Sequence, residues 1–414
     1  MASSRRREGR SGTKQKRRPA RFADVATRRE FVRTVGAVLP AASLGTPAPA
    51  EPERLAGALV LSGGGSRGAY EAGIITALVE LGGIADGQPL PGIDAVVGTS
   101  IGSLNGWFVA TAQYGLLARL WQTIASANVF RLKRRYQPIV DPWSGVVTRA
   151  LKAIALERGI FTNLQGIFDR GVVARWIAAT VSPDTSPVVP FAFTVTNLSA
   201  QHAEVFYGVP QAATSIQEAR MTAAVNNFIG RNAAAHRASG KLLLDALVAA
   251  TAIPVIFDPV ELTIDGVTSQ YVDGGIADNT PVDIARILAR SVYTILVDPD
   301  TSPPGHYTNI LQIVFASFGV AQRRILDAAL RTASLETESK RLFRASAAGA
   351  QTTFLQQVYD ADLLIIQPET ELPVAFQDFS SQANIDAAYQ RGIADGKAGW
   401  KPYARPAPVA PGAI

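Results

Sequence analysis

The chain has 414 residues, 47% of them apolar and 18% charged, with no cysteine. Those values suit a folded chain with a sizeable core and exclude a disordered protein, a disulfide scaffold, a thiolate metal site and a cysteine nucleophile. The net charge of +6 belongs to the amino terminus: residues 1–33 hold twelve Lys or Arg against three acids, a net of +9, which leaves −3 for the rest. The basic balance therefore gives no reason to expect nucleic acid as a partner.

The basic arm runs into Arg28-Arg29-Glu30-Phe31-Val32, then a weakly apolar stretch from Thr34 to Gly45, then Ala48-Pro49-Ala50. A basic region, a short apolar region and small residues at a cleavage position describe an export leader. The paired arginines resemble the twin-arginine type. The expectation is a leader over 1–50, a mature chain beginning near Glu51, and a periplasmic or secreted location. The alternative is a disordered arm that stays attached in the cytoplasm. No later stretch has the eighteen uncharged apolar residues of a membrane span.

In the body, Ala58 to Leu61 is an apolar run ending at glycines, which predicts a buried strand. Gly68 to Leu81 has helical periodicity and stops at Gly82-Gly83. Ile93 to Val97 predicts a second strand, and Ile101 to about Ile124 one long helix. Strand–helix–strand–helix in that order predicts a mostly parallel sheet with helices on both faces.

Residues 126–160 carry Arg131, Lys133, Arg134 and Arg135 beside Phe130, Tyr136 and Trp143. They read as a solvated helix face plus loop, with a cap or membrane-facing surface as the alternative. Further strands are expected at Phe191–Thr196, with Ala203–Tyr207 beside it, and at Val292–Val297 and Asp362–Gln367. A helix is expected over Leu242–Ala250, a mostly helical stretch over 309–358 and a closing helix over Ile385–Gly399. Asp265-Gly266 between Val260–Ile264 and Gln270–Val272 predicts a hairpin. The Pro-rich end, 402–414, reads as loose.

Three constellations carry chemistry. Gly63-Gly64-Gly65-Ser66-Arg67-Gly68 lies between a strand and a helix, where glycines admit close approach and helix-start N–H groups bind anions. Gly63, Gly65 and Gly68 satisfy a dinucleotide fingerprint, but the next strand ends in Gly98-Thr99-Ser100 and not in the acid that reading needs. The other reading is a cradle of amides for an oxyanion. Gly98-Thr99-Ser100-Ile101-Gly102, between a strand and a helix, fits a nucleophile elbow. Asp273-Gly274-Gly275 follows Tyr271-Val272 and offers a carboxylate to take the proton of a serine. His202, His236 and His306 stand far apart and form no H-E-x-x-H pattern, so no metal site is expected.

Together and in this order, the three constellations resemble the patatin-like phospholipase family. The resemblance is close over residues 57–300 and looser over 300–400. Arg67 takes the basic position of the glycine loop. Thr196-Asn197-Leu198, Ala250-Thr251-Ala252-Ile253-Pro254, and Asn279 with Pro281 are also similar, and Thr251 departs from the family's more usual serine.

The resemblance implies a three-layer α/β/α fold over 57–400. It implies a dyad of Ser100 as nucleophile and Asp273 as base, with Gly98, Gly102, Gly274 and Gly275 supporting them. The oxyanion would be held within Gly63–Gly68, by the amides of Gly64, Gly65 and their neighbours. No metal or organic cofactor is implied. The substrate would be a phospholipid or other acyl ester, with contact to a membrane surface. Three alternatives stay open: a Ser100–Asp273–His306 triad, a nucleotide-binding oxidoreductase built on the glycine loop, and a non-catalytic lipid-binding protein on the same scaffold. Oligomeric state is not legible.

Overall fold

The computed structural model describes residues 54–134, 166–211, 215–228, 235–300, 310–345 and 359–403. The expected leader over 1–50, most of the basic stretch at 126–160, His306 and the tail beyond 403 lie outside the described residues.

The chain runs β1 (Leu55–Leu61), α1 (Gly68–Gly82), β2 (Ala95–Thr99), α2 (Ile101–Ala110), α3 (Tyr114–Thr123), α4 (Arg170–Thr180), β3 (Phe191–Asn197) and β4 (His202–Gly208). Then come α5 (Ser215–Phe228), β5 (Ala235–Arg237), α6 (Gly240–Ala250), β6 (Val260–Ile264), β7 (Val267–Asp273), α7 (Val282–Leu288) and β8 (Ala289–Ile295). The last elements are α8 (Ile310–Ala345), β9 (Asp362–Ile366), α9 (Gln382–Ala398) and β10 (Lys401–Pro402).

One sheet holds the strands in the order β10-β9-β8-β1-β2-β3-β4-β5. The pairs β9/β8, β8/β1, β1/β2 and β2/β3 are parallel, and β3/β4 is antiparallel. Alternation along β1 sends Leu59 and Leu61 into a core with α1, α2, α3, α4, α6 and α9. It sends Ala58 and Val60 into a second core with α5, α7 and α8. Two apolar faces on one central strand require helices on both sides, so the fold has three layers, as expected.

Two expectations need correction. The long helix over 101–124 is two helices. Ala112 adopts φ +52°, the Ala112 N–H donates to Val109 O (3.0 Å) and the Gln113 N–H to Phe108 O (2.8 Å). That is a Schellman stop built on alanine, a residue that gives no stop signal. The second strand spans 95–99 and not 93–97. The Asp94 carboxylate accepts from the N–H groups of Ala56 (2.8 Å) and Gly57 (3.2 Å), so strand pairing begins after it and runs through Thr99, opposite Thr194. The hairpin is as expected: β6 pairs with β7, and Asp265 (φ +50°) and Gly266 (φ +79°) form its turn, the two positive φ values of a type I′ turn.

The position of β7 matters most. Along one edge of β3, residues 191–194 pair with β2, and residues 195–197 pair with β7 running the opposite way. β2 and β7 therefore meet end to end. Thr99 lies opposite Thr194 and Asp273 opposite Val195, which brings the residue after Thr99 against Asp273.

Candidate active site

Ser100 sits between β2 and α2 with φ 54° and ψ −126°, a conformation that costs a non-glycine residue of order 1–3 kcal/mol. The surroundings enforce it. A Cβ at position 98 would lie 2.3 Å from Gly102 O, and one at 102 would lie 2.4 Å from Leu61 O. Only glycine lets the turn close against β1. The Thr99 hydroxyl donates to Asp278 O (2.9 Å) and meets the Thr194 hydroxyl at 2.5 Å. The elbow is thereby tied to the loop that follows Asp273.

Ser100 Oγ donates to Asp273 Oδ2 at 2.5 Å. The other carboxylate oxygen accepts the Gly275 N–H at 2.8 Å, so no gap for an imidazole separates hydroxyl and carboxylate. Both residues are buried, at 4% and 5% exposure. Burial pushes the Asp273 carboxyl up to about 7, and the bonds from Ser100 and the Gly275 N–H pull the other way without cancelling it. Desolvation of this kind turns a weak base into one matched to neutral pH.

The glycine loop lies beside this pair. Asn279 grips its first residue twice: the Gly63 N–H donates to Asn279 O (2.9 Å), and Asn279 Nδ2 donates to Gly63 O (3.1 Å). The Ser66 N–H is held by Phe376 O (3.1 Å) and the Arg67 N–H by Gly64 O (3.1 Å). The Gly68 N–H turns back on Gly65 O and Ser66 O, and the Arg67 guanidinium pairs with Asp298. Of the six residues expected to form the cradle, Gly63, Ser66, Arg67 and Gly68 therefore have their amides committed elsewhere. Among the described residues, the amides of Gly64 and Gly65 have no hydrogen-bond partner. Gly65 adopts φ +56° and lines the same cavity as Ser100.

That cavity encloses about 420 Å³ of empty space, part of it open to solvent, and its walls are apolar: Val129, Phe130, Trp176, Ile253, Phe257 and Phe379 among them. Phe130 stacks on Phe379 (centroids 5.0 Å apart) and packs on Phe257 and Phe168. For the described part, 126–134, this corrects the reading of 126–160 as a solvated helix face plus loop. Val129 is buried, Leu132 bridges to Phe168, and Arg131 and Lys133 pair with Asp169 (2.9 Å) and Asp258 (2.6 Å). Both cations are paired with carboxylates, while the Phe130 ring lines the cavity. Thr251 also lines the cavity. Its hydroxyl donates to Leu247 O (3.1 Å) and Val248 O (3.2 Å), so threonine in place of serine leaves no polar atom unpaired there.

Sequence reasoning missed two supports. Phe376, far along the chain, supplies the carbonyl under the glycine loop. Glu71 on α1 is fully buried and accepts from Asn105 Nδ2 (2.9 Å), which also donates to Gly68 O (3.0 Å). Trp121 Nε1 completes the chain on Asn105 Oδ1 (2.9 Å). Burial pushes the Glu71 carboxyl up to about 8, against the bonds from Asn105 and the Ser62 N–H. This polar chain links the helix after the glycine loop to the helix after Ser100. Its signal was an acid among Tyr70, Ala72, Ile74 and Ile75 on α1.

The family model of the patatin-like phospholipases matches residues 59–286, more than half of the chain. The chain belongs to the patatin-like phospholipase family. Membership makes it one of a family of lipid-hydrolysing enzymes and sets aside the oxidoreductase reading of the glycine loop. The patatin-like match begins within β1 and ends within α7, so it contains the glycine loop, the elbow and Asp273. No curated protein matches the chain. Among solved structures, the crystal structure of VipD from Legionella pneumophila is similar over 86% of this chain and 68% of its own, at 14% identity and a TM-score of 0.34, a likeness too remote to bear on the site.

Proposed function

We propose that the chain is a serine acyl hydrolase of the phospholipase A or lysophospholipase kind, working through Ser100 and Asp273 alone. The observation that carries this reading is the direct contact of Ser100 Oγ with a desolvated Asp273 carboxylate beside an apolar cavity. Ser100 Oγ attacks the ester carbonyl while its proton passes to Asp273 Oδ2. The amides of Gly64 and Gly65, with the amino terminus of α2, stabilise the oxyanion. Asp273 gives the proton to the departing alcohol. Water then attacks the acyl-serine, its proton going to Asp273 and on to Ser100 as the fatty acid leaves. The apolar cavity suits the acyl chain. The triad with His306 is disfavoured because the serine hydroxyl and carboxylate already touch. The basic leader fits export, with the mature chain beginning near Glu51.

The pH dependence follows from the base. Asp273 accepts a proton only when ionised, and its folded pKa is raised to about 7. With a soluble nitrophenyl butyrate, kcat/KM is expected to rise about tenfold per pH unit below neutrality and to level off above pH ~7. A profile flat from pH 5 to 8 would show that a group other than this carboxylate takes the proton.

A further inference from the structure

The two ends of the glycine loop are gripped by residues inside the family match: Gly63 by Asn279, and Gly68 O by Asn105 Nδ2 (3.0 Å). Ser66, between them, is held from outside that match. Phe376 O accepts its N–H (3.1 Å) and Ala375 O accepts its hydroxyl (2.5 Å). Both carbonyls belong to the segment between β9 and α9, well beyond residue 286, where the match ends. Gly64 and Gly65, whose amides are free for an oxyanion, come immediately before Ser66 in the chain.

One side chain shapes this segment. Asp378 Oδ1 accepts from the Ser380 N–H (3.2 Å), the Ser380 hydroxyl (2.9 Å) and the Ser381 N–H (3.2 Å), and Oδ2 accepts from Asn384 Nδ2 (3.2 Å). The Asp378 N–H donates to Ala375 O (2.9 Å), the same carbonyl that takes the Ser66 hydroxyl. Partial burial pushes the Asp378 carboxyl up, but the bonds from Ser380, Asn384 and Ser381 prevail and hold it below the ordinary carboxylate range, so they are bonds to a carboxylate. The next residue, Phe379, is buried and stacks on Phe130 and Trp121.

We infer that Asp378 is a positioning residue: its carboxylate fixes the turn that presents the Ala375 and Phe376 carbonyls to Ser66, and through Ser66 it aligns the Gly64 and Gly65 amides. Capping α9 is the work of another side chain, since Ser381 Oγ accepts the Asn384 N–H (3.3 Å). Only the kinetic consequence rests on the acyl-hydrolase reading; the hold on the loop does not.

Full-length Asp378→Ala, Asp378→Asn and Ser381→Ala are compared with wild type by nitrophenyl butyrate turnover and by amide hydrogen exchange. Asp378→Ala is expected to lower kcat at least about tenfold with little change in KM, because the oxyanion donors lose alignment. Exchange is expected to speed up at least about tenfold in the peptides covering 62–68 and 375–384, and nowhere else. Asp378→Asn keeps the Oδ1 acceptor, and Asn384 meets the new amide by turning its own, so this variant is expected to restore both readouts. Ser381→Ala is expected to lower Tm through loss of the cap while leaving kcat and exchange at 62–68 unchanged. Wild-type kcat in Asp378→Ala overturns the inference. So does a Ser381→Ala variant as slow as Asp378→Ala, which would make the stability of α9 the cause. Faster exchange throughout Asp378→Ala also overturns it, by showing a general structural role. Faster exchange confined to 62–68 and 375–384, in a chain whose wild type hydrolyses no ester, leaves the hold on the loop standing and removes the hydrolase reading.

Discussion

Ser100→Ala, Asp273→Asn and the double variant are expected to fall to the same floor, about 10⁴-fold below wild type in kcat for a soluble ester. The reason is that the two side chains act as one unit. Without the hydroxyl there is nothing to acylate. Without the carboxylate, the Ser100 proton has no acceptor, since an asparagine oxygen at the same 2.5 Å contact accepts a hydrogen bond but does not take the proton. Independent contributions would instead multiply, and the double variant would fall far below either single one. The loss must also be separated from unfolding. The folded pKa of Asp273 is raised from the ordinary carboxylate range to about 7. Its ionisation therefore opposes folding: the stability it leaves intact at low pH is lost as pH rises through about 7. Asp273→Asn removes that charge, so at pH 8 its Tm is expected to equal or exceed that of wild type while its activity is gone. A variant that is inactive and has a lower Tm would point to a structural role for the carboxylate.

Gly65→Ala is expected to lower kcat by about 10²-fold with a smaller change in KM, the cost of losing an aligned oxyanion donor. Two constraints meet at this residue. Its φ of +56° is unfavourable for alanine by about 1 kcal/mol, and the added Cβ would lie 2.1 Å from Phe376 O. The carbonyl cannot simply retreat, because it also holds the Ser66 N–H. The loop must move, and with it the amides of Gly64 and Gly65. Gly83→Ala is the matched control. Gly83 has nearly the same φ, +60°, but nothing within 4 Å of the added Cβ, so it bears the backbone cost alone and should keep wild-type kcat. Equal kinetics for the two variants would remove the glycine loop from catalysis.

The contrast between Gly83 and Ala112 shows what the residues reveal about the fold. Both end helices with the same pair of reversed hydrogen bonds: Gly83 N–H to Glu80 O with Ile84 N–H to Val79 O, and Ala112 N–H to Val109 O with Gln113 N–H to Phe108 O. A glycine at the left-handed position announces the stop; an alanine held there by packing does not. The Asp265-Gly266 turn and the strand-to-helix turn at Ser100 were legible because local chemistry decides each of them. The meeting of Ser100 with Asp273 was legible only through the family resemblance. Its physical cause, one edge of β3 shared end to end by β2 and β7, depends on pairing between distant segments that no local pattern encodes. The same holds for Phe376, whose role rests on its backbone carbonyl and so leaves no trace in residue type. Phe130 was misread because its cationic neighbours suggested a solvated face, whereas Asp169 and Asp258 pair with Arg131 and Lys133.

The central claim is that Ser100 itself becomes acylated, activated by the carboxylate it touches. A fluorophosphonate probe followed by peptide mass analysis tests it most directly. One adduct is expected, on the peptide containing Ser100, formed quickly at pH 8, more slowly at pH 5 and hardly at all in Asp273→Asn. An adduct on another residue, or equal labelling of Asp273→Asn and wild type, would contradict the account.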